Sequence, residues 1–138
     1  MTDITKRGLF RGSWSFPVAN MTKIGNADVV TTITPGFAGR IIKWFWVQGT
    51  AASTPAKAAT LTPYVGSVAI TNNIGTSSTI ALTSAACTPL GKVIEGSAIG
   101  GGTSYFNSTS TISITASAVT AFSEGAGTII VEYEGKVL

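Results

Sequence analysis

Glu132 and Glu134 are as close as this 138-residue sequence comes to a catalytic pair. Strand side chains alternate between faces, so a strand through Gly127-Thr-Ile-Ile-Val-Glu-Tyr-Glu134 sets both carboxylates on one face. Such a pair suits acid/base work on a glycosidic bond, or part of an oxygen ligand set for a cation. A solvated strand face has the same pattern, and the other carboxylates, Asp3, Asp28, Glu95 and Glu124, are scattered. Serines are abundant, but there is no histidine, so a Ser-His-Asp arrangement is impossible and the commonest metal ligand is missing. Gly100-Gly-Gly102 lacks the Lys-Ser/Thr that a phosphate loop needs and reads as a turn. Cys87, the single cysteine, has no disulfide partner and reads as a small buried hydrophobe. These residues predict no enzyme, no cofactor and no metal site.

Trp44 and Trp46 are the remaining candidates for recognition chemistry, because two rings on one strand face can stack on a sugar. Ile42 flanks them on that face where a sugar site places hydrogen-bonding groups, so core or interface is the preferred reading. They lie in Arg40-Ile-Ile-Lys-Trp-Phe-Trp-Val-Gln48, the most apolar stretch of the chain. Strict alternation places Ile41, Lys43, Phe45 and Val47 on one face, and Ile42, Trp44, Trp46 and Gln48 on the other. Both faces carry bulky apolar groups, whereas a strand covering a single core is polar on its second face. One face then packs inside the domain and the other against a neighbouring subunit; Ile42, Trp44 and Trp46 are expected at the interface.

The elements that position these residues are strands. Ala27–Thr34, Gly39–Gln48, Thr60–Val65, Val68–Thr71, Thr79–Thr83, Lys92–Glu95, Ser110–Thr115 and Gly127–Glu134 are β-branched or alternating, with turn signals between them. No segment keeps a helical period over ten residues. The prediction is an all-β fold, an antiparallel β-sandwich of jelly-roll type over 27–138, preceded by an extended N-terminal arm over 1–26. Pro63 argues for an edge or a bulge in its strand.

Charged residues make up 11% of the chain, against roughly 25% in an ordinary domain. The net charge of +3 falls in the arm: Lys6, Arg7, Arg11 and Lys23 outnumber Asp3, and later charges balance. Four cations are few for nucleic acid, so docking on an acidic protein surface is expected, with Trp14 and Phe16 as further anchors. No apolar run approaches the ~20 residues of a membrane helix. The first residues carry no apolar signal segment, so cytosolic synthesis is expected.

Leu82-Thr-Ser-Ala-Ala-Cys-Thr-Pro-Leu-Gly91, Ser117-Ala-Val-Thr-Ala-Phe-Ser-Glu-Gly-Ala-Gly-Thr-Ile-Ile-Val131 and the run from Gly36 to Gly66 resemble a family of small tailed-bacteriophage virion proteins. The likeness spans roughly residues 27–133. It implies a capsid decoration (cement) or head-fibre protein, made in the bacterial cytoplasm and carried on the virion, with the major capsid protein and two further copies of itself as partners. On that reading Lys6, Arg7 and Arg11 meet the capsid, and neither nucleic acid nor membrane is a partner. The alternative is a head- or tail-fibre module that binds host-surface glycan.

Overall fold

The computed structural model describes residues 9–136. Ten strands follow in order: β1 Leu9–Val18, β2 Asp28–Ile33, β3 Ala38–Thr50, β4 Ala58–Val65, β5 Val68–Ala69, β6 Ile80–Thr83, β7 Val93–Glu95, β8 Tyr105–Phe106, β9 Ile112–Thr120 and β10 Ala126–Lys136. A 3-10 turn at Met21–Lys23 is the sole helical element among the described residues.

Two antiparallel sheets result. One runs β1-β10-β3-β7, with β8 also on β3; the other runs β2-β9-β4-β5, with β6 also on β4. The short pairs β5/β6 and β7/β8 each occupy one strand position, so each sheet has four positions. Apart from β4–β5, β5–β6 and β7–β8, every connection crosses from one sheet to the other, which is the jelly-roll order and bears out the expected fold class. Pro63 falls where β4 changes partner, from β6 over Ala58–Leu61 to β5 over Tyr64–Val65. A residue with no N–H fits such a break.

The interior follows from alternation. Ile80 and Leu82 of β6, Ile112 and Ile114 of β9, and Ile129 and Val131 of β10 point inward and are buried. From β3 come Ile41, Trp44 and Trp46, each no more than 1% exposed. At one end of the sandwich Phe10, Trp14, Phe37, Phe106 and Tyr133 form a ring cluster, with Trp14 stacked on Tyr133 at 4.4 Å between centroids. Rings of this size need small neighbours. A Cβ on Gly127 would collide with the Trp46 indole, and one on Gly96 with that of Trp44.

The arm expected over 1–26 takes a different form from Leu9 onward. Residues 9–18 are β1, paired with β10 along its whole length from Leu9↔Lys136 to Val18↔Gly127. Phe10, Gly12, Trp14, Phe16 and Val18 face inward; Leu9, Arg11, Ser13, Ser15 and Pro17 face out and are exposed. That is a period of two, a strand signal readable in the sequence, and it completes the first sheet. Pro17 is tolerated because β1 is an edge strand.

Glu124, in the turn between β9 and β10, accepts hydrogen bonds from the hydroxyl and the backbone N–H of Thr54, each at 2.7 Å. It thereby ties that turn to the β3–β4 loop.

Gly127→Ala should lower stability by about 1–3 kcal/mol through overpacking against Trp46, whereas Gly25→Ala, with open space around its Cα, should be nearly silent. Denaturant unfolding measures both. The Thr54 hydroxyl first, and its N–H second, hold the Glu124 carboxyl below the usual 4.5. A depressed carboxyl contributes stability that is present above 4.5 and lost as pH falls through its folded value. Thermal melts should therefore drop on acidification below about pH 4.5, and Glu124→Gln should flatten part of that drop.

Candidate functional site

Trp44 and Trp46 are in the monomer core, not at a surface. The Trp44 indole N–H donates to the Ser78 hydroxyl at 2.8 Å, and Ser78 donates onward to the Ser97 carbonyl at 2.6 Å. The Trp46 N–H donates to the Gln48 side-chain oxygen at 2.6 Å, and the Gln48 amide donates to the Thr50 carbonyl. Gln48 looked like a polar residue on an interface face; it is the buried acceptor for Trp46. Among the described residues no buried side-chain nitrogen or oxygen lacks a partner. Two indoles bury more apolar area than Phe45 and Val47 do, which is why this face of β3 turns inward.

Ile42 parts company with the tryptophans. In the β3–β10 ladder Lys43 opposes Glu132 and Ile41 opposes Tyr133, which leaves Ile42 as the extra residue of a β-bulge. Strict alternation fails at that point. Ile41 joins Trp44 inside, while Ile42 lines an outer cleft with Arg40. The expected set Ile42, Trp44 and Trp46 therefore does not share a face, and the two tryptophans are buried inside the domain, out of reach of a neighbouring subunit.

The docking set also divides. Lys6 and Arg7 lie outside the described residues. Trp14 and Phe16 are inward residues of β1 packed against the core, so they do not anchor a detached arm. Arg11 is outward, and its side chain is 72% exposed.

What the fold leaves for recognition is the outer face of the β1-β10-β3-β7 sheet, which has two zones. In the first, Phe45, Val47 and Ile130 are partly buried neighbours, and Val93 beside Val47 is 54% exposed. Ser15, Pro17, Thr128 and Glu95 border them in register. An antiparallel sheet face turned to water is normally polar, and this one is apolar over three strands.

The second zone is charged. Arg11 opposes Glu134, Glu134 opposes Arg40, and Arg40 opposes Tyr105, so one row crosses β1, β10, β3 and β8. Glu134 sits 3.5 Å from a nitrogen of each arginine, and Lys43 pairs with Glu132 at 3.4 Å. Glu132 and Glu134 thus share an outer face, as alternation predicts, but each carboxylate is occupied by cations. Among the described residues no group of three or more His, Cys, Asp or Glu is placed to hold a metal. Cys87 is buried, and burial pushes its thiol up to about 11, which keeps it protonated.

Neither the Arg–Glu–Arg–Tyr row nor the apolar zone could be found from local patterns. Their members are spread over the chain, and Tyr105–Phe106 is a two-residue strand too short to show a period. Compared with models of known protein families and with curated proteins, the chain has no match. No helix among the described residues is long and apolar enough to cross a membrane.

A Trp14→Phe variant, which keeps only the two core tryptophans, should emit at short wavelength and resist acrylamide quenching until unfolded. Ready quenching of the native variant would place Trp44 or Trp46 at a surface.

Proposed function

We propose that this protein is a structural component of a bacteriophage particle, a decoration protein that binds the outer surface of the capsid as a trimer and stabilises the shell. One observation carries the reading: the apolar zone of Phe45, Val47, Ile130 and exposed Val93 on an outer sheet face. Left in water, such a patch is an association hazard; covered by a neighbouring subunit, it holds the assembly together. Completing the burial of these side chains contributes on the order of 1 kcal/mol each, repeated at every subunit contact. The resemblance to small virion proteins and the jelly-roll order, a fold used by capsid and lectin domains alike, fit the same reading. The reading includes no catalysis.

The physical role follows from linkage. A subunit that binds only the assembled shell lowers the free energy of that state by its own binding energy, at many sites at once. A trimer multiplies a weak individual contact, because its three contacts act at high effective concentration. Lys6 and Arg7 are the docking cations in this scheme, directed at acidic capsid surface. Deletion of 1–8 removes them and leaves β1 in place, whereas deletion of 1–20 takes out a whole strand and should unfold the domain.

A glycan-binding fibre module is the second reading. The buried tryptophans give it nothing, and it turns instead on exposed Tyr105 beside Arg40.

Light scattering at micromolar concentration should return three times the chain mass, and Val93→Arg should reduce it to one with strand content intact. A wild-type monomer overturns the assembly reading. Mass spectrometry of purified particles should find the protein in fixed ratio to the capsid protein, and deletion of 1–8 should weaken its attachment at least tenfold.

A further inference from the structure

The geometry points to a binding site for carboxylate-bearing sugars on the outer row Arg11, Glu134, Arg40 and Tyr105. This inference rests on the glycan-binding reading and is independent of attachment to a shell.

The row is held by the ladders themselves, each member directly opposite the next on four adjacent strands. At roughly 4.8 Å per strand spacing it runs about 14 Å, long enough for an oligosaccharide rather than one ring. Three of its members present complementary chemistry. Tyr105 is 56% exposed, so its ring offers a flat apolar surface to the C–H face of a pyranose. The guanidinium contacts with Glu134 are long, at 3.5 Å from Nη2 of Arg11 and from Nε of Arg40. Arginine has five N–H donors in a planar fork that matches a carboxylate. One carboxylate shared at this distance leaves donors of both forks for a ligand carboxylate.

Space is present on both sides of the Arg40–Tyr105 pair. One cleft, of about 450 Å³, is bounded by Leu9, Ala38 and Lys136. The other, of about 700 Å³, is bounded by Ile42, Asn73, Ser104 and the backbone of Gly100–Gly102. The amide, hydroxyl and peptide groups of the larger cleft suit sugar hydroxyls, which donate and accept together.

Charge distinguishes the ligand class. Among the described residues Lys23, Lys57 and Lys92 balance Asp28, Glu95 and Glu124. The whole positive excess of those residues lies on this strip, where Arg11, Arg40, Lys43 and Lys136 face Glu132 and Glu134. An acidic ligand is favoured over a neutral one. The two carboxylates in the strip oppose a polyphosphate backbone but accept hydroxyl hydrogens, which favours a sugar acid over a nucleic acid. An acidic peptide would use the arginines and leave Tyr105 and the polar cleft without a role.

The test is calorimetric titration of the full chain with a glucuronate-containing oligosaccharide and with the same oligosaccharide after its carboxyl groups are reduced to alcohols. Binding of the acid form, with the reduced form at least tenfold weaker, is expected. Tyr105→Ala and Arg40→Gln should each weaken the acid form about tenfold while melting temperature and trimer mass stay unchanged. Equal affinity for both forms would overturn the pairing with carboxylate. Unaltered binding by both variants would place the site elsewhere and overturn the assignment, as would tighter binding of a homo-oligonucleotide. Failure of any of these leaves particle attachment by the Tyr105→Ala variant normal, so it is separable from failure of the shell reading.

Discussion

The seating of two indoles on one face of β3 is the constraint on which the rest of the structure depends. Trp44 and Trp46 occupy the middle of the sandwich, and an indole can be buried there only if its N–H finds an acceptor. Ser78 and Gln48 supply one each. The rings also demand room, taken from Gly96 and Gly127, where any Cβ would overlap an indole. Four residues far apart in sequence are thereby committed to the same two side chains. Once that face is inside, Phe45 and Val47 must be outside. The partly exposed apolar zone is a consequence of burying the larger rings.

The bulge at Ile42 adds a second constraint. Without it, Trp44 inside would require Ile42 inside and Ile41 out. The extra residue lets both Ile41 and Trp44 face the core, and it turns Ile42 toward the outer cleft beside Arg40. A bulge also re-aims the strand that carries it. The charged row and the apolar zone lie on opposite sides of this point, so one irregularity divides the sheet face into two surfaces with different chemistry. Sheet pairing then gathers the charge. Arg11 lies in the first strand, Arg40 in the third and Glu134 in the last, and only their registers against β10 bring them into one row.

These two surfaces are compatible in one molecule. An apolar zone hidden against another copy would leave the charged row, on the other side of the bulge, facing water. On the proposed reading, a sheltered face for attachment and an exposed polar row for recognition would lie on a single sheet.

Much of the fold was legible from local pattern. Ile80 and Leu82, Ile112 and Ile114, and Ile129 and Val131 alternate with polar residues, and each pair is buried as alternation predicts. The same rule was readable in Phe10 to Val18, where glycine at position 12 and proline at position 17 obscured a clean period of two. Sequence by itself determined the all-β class, the absence of a histidine-based catalytic site and the two-sided apolar character of strand 40–48. Tertiary structure alone decided which side faced in. Period two assigns residues to faces without naming the face, and it fails silently at a bulge. It also cannot report that Ser78 meets the Trp44 indole, or that Arg11, Glu134, Arg40 and Tyr105 share a row, because such contacts depend on how segments distant in sequence are brought together.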